Sequence, residues 1–203
     1  GTSSFTTSAN NADITLNNVN AHRAVTLSTT GSTGHALIDN GTTIYIAASS
    51  VGGDLTLTSS GSIIDSGTVT VGGNLAATTA NNFAIDLGTL AVDGTVQLTT
   101  NGNGAATVVN DAGLTFAAAT VGGALIATAT TGDITDNGAV TVGGITTLTT
   151  SADNATITLD TTTNAFTGAV TITTNDNDGT AANVTIDGGT TALILAASTI
   201  DGD

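Results

Sequence analysis

The side chains in this chain that could coordinate, titrate or hydrolyse are few, and nearly all are aspartates. The densest set is Asn175-Asp176-Asn177-Asp178-Gly179-Thr180, where oxygen-bearing side chains alternate along a short turn. Hard oxygen donors closed by a glycine are how a calcium loop begins. Asp176 and Asp178, with Asn175 and Asn177, are therefore the candidate metal ligands, and Ca2+ is the cation they suit. The chain contains no Glu, so it lacks the bidentate ligand that closes an EF-hand. An ordinary solvated loop is the competing reading, and in neither reading does the fold require a cofactor.

A second acidic set recurs as Asp-x-Gly at Asp39, Asp65, Asp86, Asp111 and Asp136, with Asp187-Gly188-Gly189 as a variant. Asp can cap its own turn through its carboxylate, and Gly can supply a positive φ there. Asp65 and Asp86 fall one repeat apart, so their carboxylates are expected about one strand spacing from each other. Like charges that close would raise a pKa or recruit a cation. Solvated caps are the plainer expectation.

The bases number three: His22, Arg23 and His35, with no Lys. They could meet near one another, and a surface cluster without a role is the expectation. This inventory argues against catalysis. One Arg cannot grip a polyanionic sugar, no Trp and a single Tyr45 offer little platform for a neutral one, and no Ser-His-Asp grouping is in view. A net charge of −15 also repels nucleic acid and anionic lipid. No run approaches the ~18 apolar residues of a spanning helix, so direct membrane insertion is not expected. The chain opens on Gly1 and contains no Met, which reads as a mature or partial chain.

What must position these residues is a repeat. Val-Gly-Gly returns at Val51, Val71, Val121 and Val142, with Val92-Asp93-Gly94 between, at spacings of 20, 21, 29 and 21 residues. A period of twenty to thirty residues marks a solenoid. After each Val, Leu55 and Leu57, Leu75 and Ala77, Val96 and Leu98, Leu125 and Ala127, and Leu148 share one strand parity. Thr58, Thr78, Thr99, Thr128 and Thr149 hold the other. Alternate residues face opposite sides of a strand, so an aliphatic column inside and one Thr ladder outside are predicted. Thr is β-branched and can bond its neighbour on the next rung, which suits that place. The absence of Pro fits strands paired on both edges. One rung reads as a strand and two short strands joined by turns, which suits a three-sided coil. The 29-residue spacing reads as the same coil with a longer loop or longer strands.

A longer duplication lies above the rung. Gly1–Leu16 aligns with Gly144–Leu159 without a gap, ten of sixteen positions being identical, and Ile38–Ser49 matches Ile186–Ser198 with one insertion. The chain therefore divides into A (1–50), B (51–143) and A′ (144–199), and 200–203 echoes the start of a second B. The whole of 1–203 reads as one continuous solenoid of about eight rungs with uncapped ends, part of a longer array or a subunit stacked head to tail.

The pattern Val-Gly-Gly-(Asn/Asp)-Leu, then (Ser/Asp)-Ile-x-Asp-x-Gly, then x-(Val/Leu)-x-Val-x-Gly resembles the repeats of very large bacterial surface proteins. These include filamentous-haemagglutinin-like adhesins and autotransporter passengers. The resemblance implies a right-handed parallel β-helix, secreted and displayed at the cell surface or in the extracellular matrix. It implies a non-catalytic structural or adhesive fibre whose partners are further copies, end to end or side by side, or other cells, surfaces and matrix. A passive stalk stiffened by Ca2+ is the alternative. Ice binding is a minor one, because the column Thr56, Ala76, Gln97, Ile126, Thr147 interrupts a two-column Thr array.

Overall fold

Small and β-branched residues alternating with aliphatic ones give every segment one wet and one dry side, and in the computed structural model this alternation becomes strands. The structure describes residues 2–202. Among them are 22 strands and no helix, and every strand pairing is parallel. The chain is thus a β-solenoid.

The first two rungs are β1 (Ser3–Asn10) with β2 (Ile14–Val19), and β3 (Val25–Thr30) with β4 (Ala36–Asn40). The third holds β5 (Ile44–Ile46), β6 (Ser49–Val51) and β7 (Leu55–Ser59), and the fourth β8 (Ile63–Asp65), β9 (Val69–Val71) and β10 (Leu75–Asn81). Two long strands make each of the next rungs: β11 (Ile85–Val92) and β12 (Thr95–Asn101), then β13 (Ala106–Asn110) and β14 (Leu114–Val121). Three strands return with β15 (Leu125–Ala129), β16 (Ile134–Asp136) and β17 (Val140–Val142), and with β18 (Thr146–Asp153), β19 (Ile157–Leu159) and β20 (Ala165–Phe166). β21 (Val170–Asn175) and β22 (Val184–Ile186) follow.

These strands gather into two eleven-stranded sheets. The first face stacks β1, β3, β5, β8, β11, β13, β15, β18 and β21, about eight turns from bottom to top, and the second runs from β2 to β22. The expected three-strand rung is present where two short strands lie side by side, but long neighbours such as β11 and β14 hydrogen-bond to both members of a short pair and merge them into one sheet.

Between the sheets runs a thin apolar column. Leu55, Leu57, Leu75, Ala77, Val96, Leu98, Leu125, Ala127 and Leu148 are all buried in it, as the parity of the repeat predicts. Phe116 and Phe166 are its largest side chains and are fully buried.

The 29-residue spacing has a different cause from the one expected. Val51, Val71 and Val92 stack on the first face, whereas Val121 and Val142 stack on the second. The interval is one 21-residue rung and a further eight residues that carry the motif across to the opposite sheet. No longer loop is involved. Leu87 and Leu90 of β11 pair with Val108 and Asn110 of β13, so the first face loses one residue. Val96 and Gln97 of β12 pair with Phe116 and Ala118 of β14, so the second face gains Ala117 as a bulge. Rung length is conserved while long and short strands change sides.

The glycines of the repeat serve close approach. A Cβ on Gly52 would strike the Gly31 carbonyl, and one on Gly122 the Gly102 carbonyl. Successive turns therefore sit backbone on backbone, continuing the ladder around the corner. Of the Asp-x-Gly turns, only the variant at Asp187 carries a positive φ, at Gly189; Gly41, Gly67, Gly88, Gly113 and Gly138 do not. That conformation belongs instead to Asn11, Asn82 and Asn154, among others, at another corner. Asn11 and Asn154 are partners in the long duplication and share φ 61.

Candidate functional site: the outer ladders and turn caps

The five threonines expected to form one ladder divide between the faces. Thr58, Thr78 and Thr99 align on the second face, where Thr120 and Thr141 complete the column. Thr128 and Thr149 align on the first face and continue through Thr173, with Thr199 bridged above. The division follows directly from the crossing of the repeat between sheets. A further column was not anticipated: Thr95, Thr115, Thr135, Thr158 and Thr185 stack on the second face. Within it the Thr115 and Thr135 hydroxyls lie 2.9 Å apart. The interrupting column divides likewise, with Gln97 followed by Ala118 on the second face and Ile126 and Thr147 on the first.

Asp187 caps its own turn as expected, accepting from the Gly189 N–H at 2.7 Å, whereas Asp65 and Asp136 reach a different turn. Asp65 accepts hydrogen bonds from the Gly88 N–H at 3.1 Å and the Thr89 N–H at 2.7 Å, in the rung above. Those donors lie in the β11 bulge, whose N–H groups the parallel ladder leaves free. Asp136 accepts from the Asp160 N–H at 3.2 Å and the Asn164 amide at 2.7 Å, again one rung on. A turn in a solenoid lies directly over its predecessor, so the nearest free donors belong to the next layer. Asp65 and Asp86 do not form a carboxylate pair. Asp86 pairs with Ile64 and is exposed on the strand, while Asp65 is engaged at the turn.

The same rule builds a chain of caps along one corner. The His35 N–H donates to Asp13, the Asp54 N–H to His35 Nδ1, the Asn74 N–H to Asp54 and the Thr95 N–H to Asn74, at 2.7–2.9 Å. His35 Nδ1, which accepts that Asp54 N–H, also lies 3.5 Å from Asp54 Oδ2. A shallow groove of about 320 Å³ lies over Asp13, His35 and Asp54. His22 and Arg23 are exposed on the preceding loop, and Arg23 has no ion pair among the described residues.

Inside the corners the structure places polar residues that sequence reasoning missed. Asn40, Asn110 and Asn164 are each 1% exposed. Asn110 accepts from the Val92 N–H at 2.8 Å and donates to the Val92 and Gly113 carbonyls, and Asn164 accepts from the Val140 N–H at 2.7 Å. Thr29, Thr79, Thr100 and Thr150 are buried and donate to carbonyls four or five residues ahead. The recurring Thr-Thr before Asn or Gly at the left-handed turn was the available signal.

The Asn175–Thr180 loop sits on the Asp153-Asn154 turn of the rung below. The Asp178 and Gly179 N–H groups donate to Asp176 at 2.9 and 2.7 Å, and the Thr180 N–H donates to Asp178 at 2.9 Å. Asp153 accepts from both the backbone and the amide of Asn177, and Asn154 donates to Asp178 at 3.3 Å. The Thr180 backbone bond first, then the Asn154 amide, hold the Asp178 carboxyl below its ordinary value of 3.8. The donors that converge on these carboxylates are N–H groups, where a calcium ion needs a shell of oxygens. Among the described residues no three acidic or imidazole side chains are grouped to hold a metal ion. In this geometry the loop is self-capped, with Asp176 and Asp178 accepting from its own N–H groups.

Two stacked sheets, a continuous column and caps that run from rung to rung define a parallel β-solenoid repeat protein. Residues 33–87 and 103–173 match the model of the family described as repeats of unknown function (DUF5649), more than half of the chain. The chain belongs to that family. The unmatched stretch between the two blocks covers the end of β11 and β12, where the repeat crosses between faces. No curated protein and no solved structure matches the chain. No helix among the described residues is long and apolar enough to cross a membrane.

Proposed function

We propose that this chain is a length of a non-catalytic structural or adhesive fibre, secreted and displayed at the cell surface or outside the cell. The observation that carries the reading is axial continuity. Strands, glycine turns and Asx caps all bond to the rung above, so the molecule has one direction of cohesion along its whole described length. Such a quasi-one-dimensional stack adds stability rung by rung and can be extended without redesign. The likeness of the repeat to those of large bacterial surface proteins supports the same location and use. The rod then works through its outer faces, against other rods, cells or matrix. Electron microscopy of the native material tests this. Long, uniform, unbranched filaments are expected; compact particles would overturn the reading.

A further inference from the structure

One surface occurs twice in this molecule, once covered and once open. At the upper end of the stack an apolar groove of about 160 Å³ is lined by Ile172, Val184, Ile186, Leu193, Leu195 and Ile200. Leu195 is 58% exposed and Ile200 36%, and Val184, Ile186 and Leu193 are only partly buried. The long duplication gives each of these a counterpart in A: Leu27, Ala36, Ile38, Ile44, Ile46 and Val51. The backbone repeats with the sequence. Ile46 pairs with Val25 as Leu195 does with Val170. The Leu27 N–H donates to the Ser49 hydroxyl at 3.0 Å, and the Ile172 N–H to the Ser198 hydroxyl at 3.0 Å. Each serine in turn donates to an alanine carbonyl, that of Ala47 or Ala196. In A all six positions are buried. What covers that surface is the first rung of B. Leu55 and Leu57 lie over Ala36 and Ile38, Ile63 over Ile44, Val69 over Ser49 and Val71 over Val51. Backbone bonds seal the two layers, the Ile44 N–H donating to the Ser62 carbonyl at 2.8 Å and the Ser66 N–H to the Ile46 carbonyl at 2.9 Å.

We propose that this upper end is a docking edge for a B-type rung presented by a separate polypeptide that carries the same repeat. This rests on the fibre reading above and specifies what such an end joins. A rung with the pattern of residues 54–71 sets Leu over Val184 and Ile186, Ile over Leu193 and Val over Ile200, the apolar stack that A already has. Entry is by strand addition: ladder bonds supply the attraction, and alternate inward side chains supply the selection. The first rung of a second copy fits less well. Ser3, Phe5 and Thr7 share the inward parity of Val25 and Leu27, so two of those three inward positions are polar. Its lowest strand, β1, also belongs to the first face, whereas the next place to be filled lies over β22 on the second. The chain's charge of −15 opposes a rung bearing Asp54 and Asp65, so a preference for that rung reports register and apolar fit rather than electrostatics.

Fluorescence anisotropy of a labelled peptide copying residues 54–71, titrated with the full chain, tests the proposal. A peptide copying residues 3–24, the A-type rung, is the comparison; its Asp13 and Arg23 cancel, so charge alone favours it. The B-type peptide should bind at least about tenfold more tightly, and hydrogen exchange at residues 193–200 should slow when it does. Leu195→Asp should weaken its binding at least about tenfold, while Ile126→Asp, at an exposed position in the middle of the rod, should leave it unchanged. The milder Leu195→Thr keeps the comparison open if the acidic variant disturbs the last rung, which circular dichroism reports. No binding of the B-type peptide, equal binding of both peptides, or full binding by the Leu195 variants would overturn the proposal. Self-association of the chain without peptide, lost in Leu195→Asp, would overturn it as well by making a second copy the occupant. Any of these results beside long native filaments leaves the fibre reading intact; compact particles would remove the fibre reading.

Discussion

The rungs before and after the crossing carry the same repeat on opposite faces, and their likeness shows what the repeat specifies. Before it, Ile63-Ile64-Asp65 lies on the first face and its carboxylate caps residues 88 and 89. After it, Ile134-Thr135-Asp136 lies on the second, and its carboxylate caps residues 160 and 161. Val-Gly-Gly stacks on Val-Gly-Gly in both places. The motif thus encodes a local bend, an inward column and a bond to the next layer, and none of these refers to a particular face. β1 and β18, partners in the long duplication, both lie on the first face, seven steps apart in the stack. One A–B unit therefore contains a crossing in each direction and restores the starting side.

The severest way to break that equivalence is at the crossing itself. Phe116 is fully buried opposite Val96, next to the Ala117 bulge. Phe116→Ala should destabilise by about 3–5 kcal/mol, the range for a truncated core aromatic. Contacts in a solenoid are nearest-neighbour, so the loss should also uncouple the halves. Denaturant unfolding is expected to show two transitions where wild type shows one. Phe5→Ala, on the terminal rung and 36% exposed, should leave a single transition.

Glycine stacking comes next in size. Gly122→Ala drives a Cβ into the Gly102 carbonyl, while nothing lies within 4 Å of a Cβ at Gly88. The first should lose about 1–3 kcal/mol and the second almost nothing, since overpacking against backbone has no cheap relief. Equal effects in thermal melting would show that these glycines act through chain flexibility instead.

The inward column was legible before the structure because strand parity alone separates Leu57 from Thr58. The crossing was visible as a spacing, yet 29 residues can be a longer loop, longer strands or a change of side, and only the pairing of Val121 with Val142 on the second sheet decides. The buried Asn110 was illegible for another reason. In sequence it precedes Asp111-Ala112-Gly113 and looks like a solvated turn residue, whereas its burial arises from the coil closing over it. Capping of the layer above was hidden likewise, because Asp65 and Thr89 meet only once two rungs are stacked. The carboxylates of Asp65 and Asp136, doing the same work on opposite faces, should each contribute about 1 kcal/mol. Asp65→Ala and Asp136→Ala are expected to lower stability equally, and Asp86→Ala, at an exposed position, to change it by less than ~0.5 kcal/mol.

One position distinguishes the halves in the opposite sense. The strand after the repeat begins inward with Leu55, Leu75 and Val96 in the first half, and with Leu125, Thr146 and Val170 in the second. Thr146 is 0% exposed and its hydroxyl has no partner. A hydroxyl buried without a bond costs free energy that an isosteric methyl does not. Thr146→Val should stabilise the later rungs by about 1 kcal/mol and raise the melting temperature, making the halves more alike.

The finest distinction is electrostatic and confined to the loop above Asp153. The Asp178 carboxyl is held below 3.8 by the Thr180 N–H and the Asn154 amide. Its folded pKa lies beneath the unfolded one, so its contribution is present above the ordinary carboxylate range and fades as pH falls through the lowered value. The group is fully exposed, so the effect on global stability is small and belongs to the loop. An NMR titration should find Asp178 protonating below the ordinary carboxylate range, and Asn154→Ala should bring it closer to that range. An unchanged Asp178 midpoint in that variant would mean that the loop's own backbone sets the carboxylate alone, without help from the rung beneath.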